Sequence, residues 1–216
     1  MMFFFDKIND TLIEYKINKI YSKRFSQYKN SPSGVFWKNK FTQNYRFELI
    51  LKEILKSNNL NNCIIADIGC GYGEFFEFLK KKIDFQKIYY HGYDINTDFI
   101  KFCNEKYMTK NLKFFKSSSP FHFVDYSVMS GTFNLCVLEN LIFWEKYIID
   151  NLKRIWKKTK KIMIFNLLIK NKRMISNKLY YSEKNWIKNV CEQKFNKTKI
   201  IEDTLLPEDL LIVIYK

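Results

Sequence analysis

Asp67, Gly69, Gly71, Gly73 and Asp94 are the residues of this chain whose types and spacing could do chemistry. The three glycines alternate after a short apolar run, Ile64-Ile65-Ala66-Asp67-Ile68. Glycine admits a backbone turn that other residues resist and leaves bare peptide against which a ligand can lie. The segment from Glu74 to Lys82 reads as a helix, so its first N–H groups face that turn. A second apolar run, Lys87 to Tyr93, ends in the carboxylate of Asp94. Strand, glycine turn, helix, strand and acid make the plan of a site for an adenosine-bearing cofactor.

The spacing narrows the choice. A dinucleotide site wants Gly-x-Gly-x-x-Gly, and the third glycine would fall at Glu74. With Asp67 before the turn and Glu74 after it, the site is a poor cradle for a pyrophosphate. It suits a ligand with a positive sulfonium and an amino-acid tail.

On these residues the chain resembles the class I S-adenosylmethionine-dependent methyltransferases. Their acid–apolar–Gly-x-Gly-x-Gly motif is matched from Asp67 to Gly73, and their acid after the second strand by Asp94. Further blocks resemble a little-characterised branch: Ser31 to Trp37, Gln43 to Phe47, Ser130-Gly131-Thr132-Phe133-Asn134, Ile164 to Leu168, and Asp203 to Pro207. The resemblance implies S-adenosylmethionine as cofactor, held by Asp67, Gly69, Cys70, Gly71, Gly73, Asp94 and Ile95, with Ser118, Ser130 and Arg46 as further contacts. Asp94 would hold the ribose hydroxyls. The family's acid after the third strand is missing, because Phe115 to Pro120 contains none. Adenine would then rest on the Ser118 hydroxyl or on backbone.

Stepping along the chain, apolar residues at Ile8, Leu12, Tyr15, Ile17, Ile20 and Tyr21 predict an amphipathic helix over Phe4 to Tyr28. A loop carrying Pro32 and Gly34 follows, then a helix from Gln43 to Lys56. Alternating strands and helices come next, with strands at Cys63–Ile68, Lys87–Tyr93, Asn111–Phe115, Phe123–Met129 and Lys161–Asn166. A long helix over Leu138–Lys157 carries a stripe of Leu141, Trp144, Ile148, Leu152 and Ile155. Helix Ser182–Gln193 and strands Thr198–Glu202 and Leu210–Tyr215 close the reading. The expectation is a single-domain α/β Rossmann-like methyltransferase fold. Its seven-stranded sheet is mostly parallel, with the last strand antiparallel. Residues 1–42 form an N-terminal helix and loop serving as lid or dimer arm, and 43–216 the methyltransferase domain.

For catalysis the sequence offers Asn134 after the fourth strand, Asn166 ending the fifth, and His122. Each has an ordinary structural role as an alternative, and none is a convincing base; His91 reads as packing. The shortage of bases fits a nucleophile already anionic, or a neutral amine. Arg46 could clamp the carboxylate of the cofactor tail or of an acidic substrate. Trp37 could cover a sulfonium or simply pack, and Tyr180 and Tyr181 could wall the acceptor pocket.

Composition bounds the partners. The formal net charge is +15, from 37 basic and 22 acidic residues. That charge is either lysine spread over solvated faces or a field for anionic substrates or nucleic acid. Five cysteines without a CxxC pair indicate a reducing compartment and no disulfide framework. Two histidines leave no metal cluster. No run approaches the ~18 apolar residues of a membrane span, so the cytoplasm is the expected location. The leading reading is a methyltransferase acting on a small molecule, with an anionic or sugar/phosphate group of a surface-polymer precursor as one expected acceptor. RNA methylation and a non-catalytic cofactor-binding or dimerising subunit are the alternatives.

Overall fold

The computed structural model describes residues 2–37, 39–56 and 60–216. Its helices are α1 (Met2–Tyr28), α2 (Lys40–Leu55), α3 (Glu74–Lys82), α4 (Thr97–Lys106), α5 (Leu141–Lys158) and α6 (Lys184–Lys194). Its strands are β1 (Cys63–Ile68), β2 (Ile88–Asp94), β3 (Leu112–Lys116), β4 (Val124–Met129), β5 (Thr159–Ile169), β6 (Met174–Ser176), β7 (Leu179–Ser182), β8 (Thr198–Glu202) and β9 (Asp209–Tyr215). The sheet therefore has nine strands among the described residues, not seven.

Strands β3, β2, β1, β4 and β5 run parallel in that order. β9 joins β5 antiparallel, and β8 pairs with β9. The two extra strands form a hairpin, β6–β7, whose Tyr181 and Ser182 pair with Leu168 and Ile169 of β5. Since β5 runs on past the end of β4, the hairpin occupies the edge that β4 leaves. Its turn is Asn177-Lys178, both left-handed at φ 51° and 61°, the geometry that matches strand twist in two-residue hairpins. Two strands of three and four residues, joined by a turn without glycine, fall below the length at which alternation is readable.

The central strands β1, β2, β4, β5 and β9 are buried on both faces, which is why they read as near-continuous apolar runs. Phe47, Ile50 and Ile54 of α2, Phe75, Phe76 and Leu79 of α3, and Ile100 and Cys103 of α4 cover one face. Ile13 of α1, Trp144, Ile148, Leu152 and Ile155 of α5, and Ile187 and Cys191 of α6 cover the other. Each such fully buried Leu or Ile contributes about 1.5–3 kcal/mol. The α5 stripe is the one expected, and the helix begins after Asn140, whose Oδ1 accepts the Phe143 N–H at 3.1 Å. The α1 stripe differs from the expectation. Leu12 and Tyr15 face solvent, while Ile13 is buried and Ile17 and Tyr21 are half-buried; the Ile8 side chain lies outside the described residues. Helix α2 begins at Lys40, capped by Asn39 Oδ1 on the Thr42 N–H at 2.9 Å, so it spans the junction at 42/43.

No helix of the described residues is long and apolar enough to cross a membrane.

Candidate functional site

The carboxyl ends of β2, β1 and β4 lie side by side, and a cleft opens above them. In a doubly wound sheet, β1 sends its connection to one side and β4 lies on the other, leaving a crevice at that switch point. Asp67, Ile68, Gly69, Cys70, Gly71 and Tyr72 form its floor. Asp94, Ile95 and Asn96 leave β2 beside it, and Ser130 to Phe133 leave β4 on the far side.

Local chemistry explains the floor. Gly69 has φ +77°, and a Cβ there would lie 2.7 Å from Thr132 Oγ1. That hydroxyl donates to the Ile68 carbonyl at 2.7 Å, tying the β4 loop to the end of β1. Only glycine meets both demands. Gly73 caps α3 at φ +85° and packs under the Tyr107 ring rather than facing the cleft.

Asp94 Oδ2 accepts the Gly71 N–H at 2.9 Å and Oδ1 accepts the Asn96 N–H at 2.8 Å. Burial outweighs those bonds and pushes its carboxyl up to about 6. Asp67 accepts from the Tyr90 hydroxyl at 2.5 Å. Burial raises it too, to about 7, against that hydrogen bond and with help from the Asp94 charge. Two buried carboxylates that resist ionisation thus flank the glycine turn.

Helix α1 closes the β2 side. Asn96 Nδ2 donates to Asn18 Oδ1 at 2.7 Å and to Ser22 Oγ at 2.9 Å. Ile17, Asn18 and Tyr21 line the cleft. Ser117 and Ser118 from the loop after β3 line it as well, where the sequence has no acid. The opposite end is walled by Trp37, Gln43, Phe47, Tyr72 and Phe75. Trp37 stands over the β4 loop, since a Cβ on Gly131 would lie 4.0 Å from its ring.

Several residues singled out in the sequence stand behind these walls. Arg46 forms a buried ion pair with Asp209 and lies 4.3 Å from the centre of the Trp37 ring. Asn166 accepts the Gly131 N–H on Oδ1 at 2.6 Å and donates through Nδ2 to Asp209 at 3.1 Å. Arg46, Asp209, Asn166 and Gly131 form one buried chain that braces the β4 loop. Burial lowers the Arg46 guanidinium to about 9, so it stays charged at neutral pH. Asn134 Oδ1 accepts the Leu168 N–H at 3.3 Å, and its carbonyl accepts from the Tyr180 N–H at 2.9 Å, which braces the hairpin. His122 lies on the crossover loop 2.9 Å from His91, whose ring burial lowers to about 4. Asn134, Asn166, His122, Arg46, Tyr180 and Tyr181 are not among the lining residues.

The cleft's charge runs opposite to that of the chain. Among the described residues its lining holds Asp67, Glu74 and Asp94, and no lysine, arginine or histidine. Glu74 is paired with Lys40, which stands outside. Lining residues outside the expected site include Asn18, Tyr21, Gln43, Tyr72, Asn96 and Thr132. Gln43 left a signal: it is a polar residue in phase with the Phe47–Ile50–Ile54 stripe of α2.

No family model and no curated protein matches this sequence. Solved structures do. The magnesium protoporphyrin IX methyltransferase of Synechocystis PCC 6803, determined with S-adenosylmethionine bound, is similar over 96% of this chain and 96% of its own (TM-score 0.65, 12% identity). An S-adenosylmethionine-dependent methyltransferase of Leishmania major is similar over 91% and 82% (TM-score 0.65, 13% identity). One from Clostridium acetobutylicum is similar over 78% and 89% (TM-score 0.55, 10% identity). The chain has the class I methyltransferase fold.

Proposed function

We propose that this protein is an S-adenosylmethionine-dependent methyltransferase acting on a small molecule. The observation that carries the reading is the cleft's charge. A chain of net charge +15 lines its one glycine-floored cleft with three carboxylates and, among the described residues, no cation. Such a site draws a ligand that is itself positive and repels a pyrophosphate. The solved relatives of this fold include a protein with S-adenosylmethionine bound, which supports the same reading.

The residues fit that ligand. Asp94 accepts from the ribose hydroxyls, exchanging its present bond to the Gly71 N–H. The bare turn at Gly69 and Gly71 lies along the methionine portion, and Asp67 sets the negative potential beneath it. Ile95, Phe99 and Ser118 flank the adenine, and Ser117 fixes the loop through its bond to the Ser119 carbonyl at 2.7 Å. Helix α1 serves as the lid, since Asn18 and Tyr21 close the cleft above Asn96. When bound, S-adenosylmethionine supplies an electrophilic methyl group, whose bond to sulfur breaks with its electron pair going to sulfur as the acceptor's lone pair bonds to carbon. The chain's part is to hold donor and acceptor in line and to exclude water.

An anionic acceptor, one reading of the chain's charge, meets no cation in this cleft. Calorimetry with S-adenosylmethionine tests the proposal. Binding that is lost in Asp94→Ala supports it. Native protein that takes up no cofactor, or Asp94→Ala that binds as the parent does, refutes it.

A further inference from the structure

Gln43 is 2% exposed and its Oε1 has no hydrogen-bond partner. A buried carbonyl oxygen left unpaired is destabilising, and native structures rarely tolerate one without a reason. The side chain lies beside Tyr72, itself 2% exposed, and both line the same end of the cleft. The Ser130 hydroxyl, leaving β4 opposite them, is also without a partner. These unfilled polar groups are set among Trp37, Phe47 and Phe75.

Their place in the cleft gives them a role. β1 lies between β2 and β4. On the cofactor reading, a nucleoside anchored at Asp94 on β2 extends across the glycine turn and presents its sulfur end toward Ser130 on β4. The acceptor therefore enters between Ser130 and the Gln43–Tyr72 wall.

Three features fix its chemistry. An anion would come to rest against Asp67 and Glu74 with no cation to meet it: Arg46 is held by Asp209 behind Trp37, and Lys40 is held by Glu74. A protonated ammonium fits the charge but has no lone pair to give. Among neutral groups, Gln43 Oε1 can only accept a hydrogen bond and has no partner within the chain, so an acceptor that donates one satisfies it. A hydroxyl would need a base to remove its proton. Among the described residues no histidine lines the cleft, and its buried carboxylates are engaged, Asp67 by the Tyr90 hydroxyl and Asp94 by backbone N–H groups and, on the cofactor reading, by the ribose. A neutral nitrogen needs none.

We propose that the acceptor is an uncharged N–H nitrogen on a flat aromatic body, its N–H received by Gln43 Oε1 and its ring held between Trp37 and Phe75. The inference rests on the cofactor reading above. The nitrogen keeps its lone pair for the methyl carbon and releases its extra proton to water once the new bond is made.

The test uses the full chain saturated with S-adenosylhomocysteine, with aniline, phenol and benzoate as probes of one ring and three chemistries. Saturation-transfer NMR measures binding, and mass spectrometry after incubation with S-adenosylmethionine identifies any methylated product. Aniline should bind at least about tenfold more tightly than benzoate and should be the probe methylated, on nitrogen. Gln43→Leu should lose about tenfold in aniline affinity while still taking up S-adenosylhomocysteine. If that variant does not fold, Tyr72→Phe, which keeps the ring, should weaken aniline in the same direction. Equal or tighter binding of benzoate, methylation of phenol in preference to aniline, or folded variants that bind aniline like the parent would overturn the inference alone. Protein that does not bind S-adenosylhomocysteine overturns the cofactor reading and this inference together.

Discussion

Asp94 gives the site a pH signature that can be worked from its surroundings. Its carboxyl is buried and raised to about 6, with the Gly71 and Asn96 N–H groups opposing the rise. Two ribose hydroxyls need an ionised carboxylate to receive them both. At about pH 8 nearly every molecule is ready, whereas at about pH 5 only about one in eleven is, so affinity should fall about tenfold on acidification. Asp67, raised to about 7, steepens the slope if the ligand prefers it charged. S-adenosylhomocysteine is the suitable probe, because it keeps the ribose but lacks the sulfonium. Calorimetry over that range should show affinity rising with pH and protons released on binding, with the release measured in buffers of different ionisation heat. Asp94→Asn should bind weakly with a shallower slope. The unliganded protein should show the opposite trend. A carboxyl raised in the folded state contributes stability that is complete below its unfolded value and lost as pH climbs through its folded value. Melting temperature should therefore decline between about pH 4 and about pH 7 without ligand. Affinity independent of pH, or an Asp94→Asn slope equal to the parent's, would refute the assignment.

Three other perturbations follow from the geometry. Gly69→Ala puts a side chain at φ +77° against Thr132; it should lower stability by about 1–3 kcal/mol and abolish the heat of cofactor binding. Asp209→Ala leaves Arg46 charged and buried without its partner, which should cost about 3–5 kcal/mol in chemical denaturation, whereas Arg46→Met with Asp209→Leu should recover most of that loss. Asn18→Ala removes the side-chain partner of Asn96 under the lid and should speed cofactor release about fivefold in stopped-flow fluorescence, with little change in melting temperature.

The parts of this site that the sequence discloses are those made by neighbours in the chain. Strand, glycine turn and helix from Cys63 to Lys82 occupy one continuous stretch, and Asp94 ends the next strand, so pattern alone brings them together. What escaped is what only folding brings together. Arg46 invites a reading as a ligand clamp, because nothing local announces Asp209 as its partner. Asn166 does not end the fifth strand: β5 runs on to Ile169, so this amide sits inside the strand, and its partners are Gly131 and Asp209. Leu12 and Tyr15 fall in the α1 stripe by spacing because apolar residues surround that helix on several sides; only the sheet's position selects Ile13 and Ile17. Gln43 was legible in principle, as a lone amide on an apolar helix face, once the helix is known to start at Lys40.

The brace behind the β4 loop sets an order of events. A polypeptide synthesised only through α6 already owns the glycine turn, Asp94 and all the aromatic walls. It lacks Asp209, so Arg46 is a naked charge and Asn166, which accepts from Gly131, has no partner for its own Nδ2. The β4 wall of the cleft is therefore fully braced only once β9 has docked, and a ligand that needs that wall stabilises finished molecules more than nascent ones.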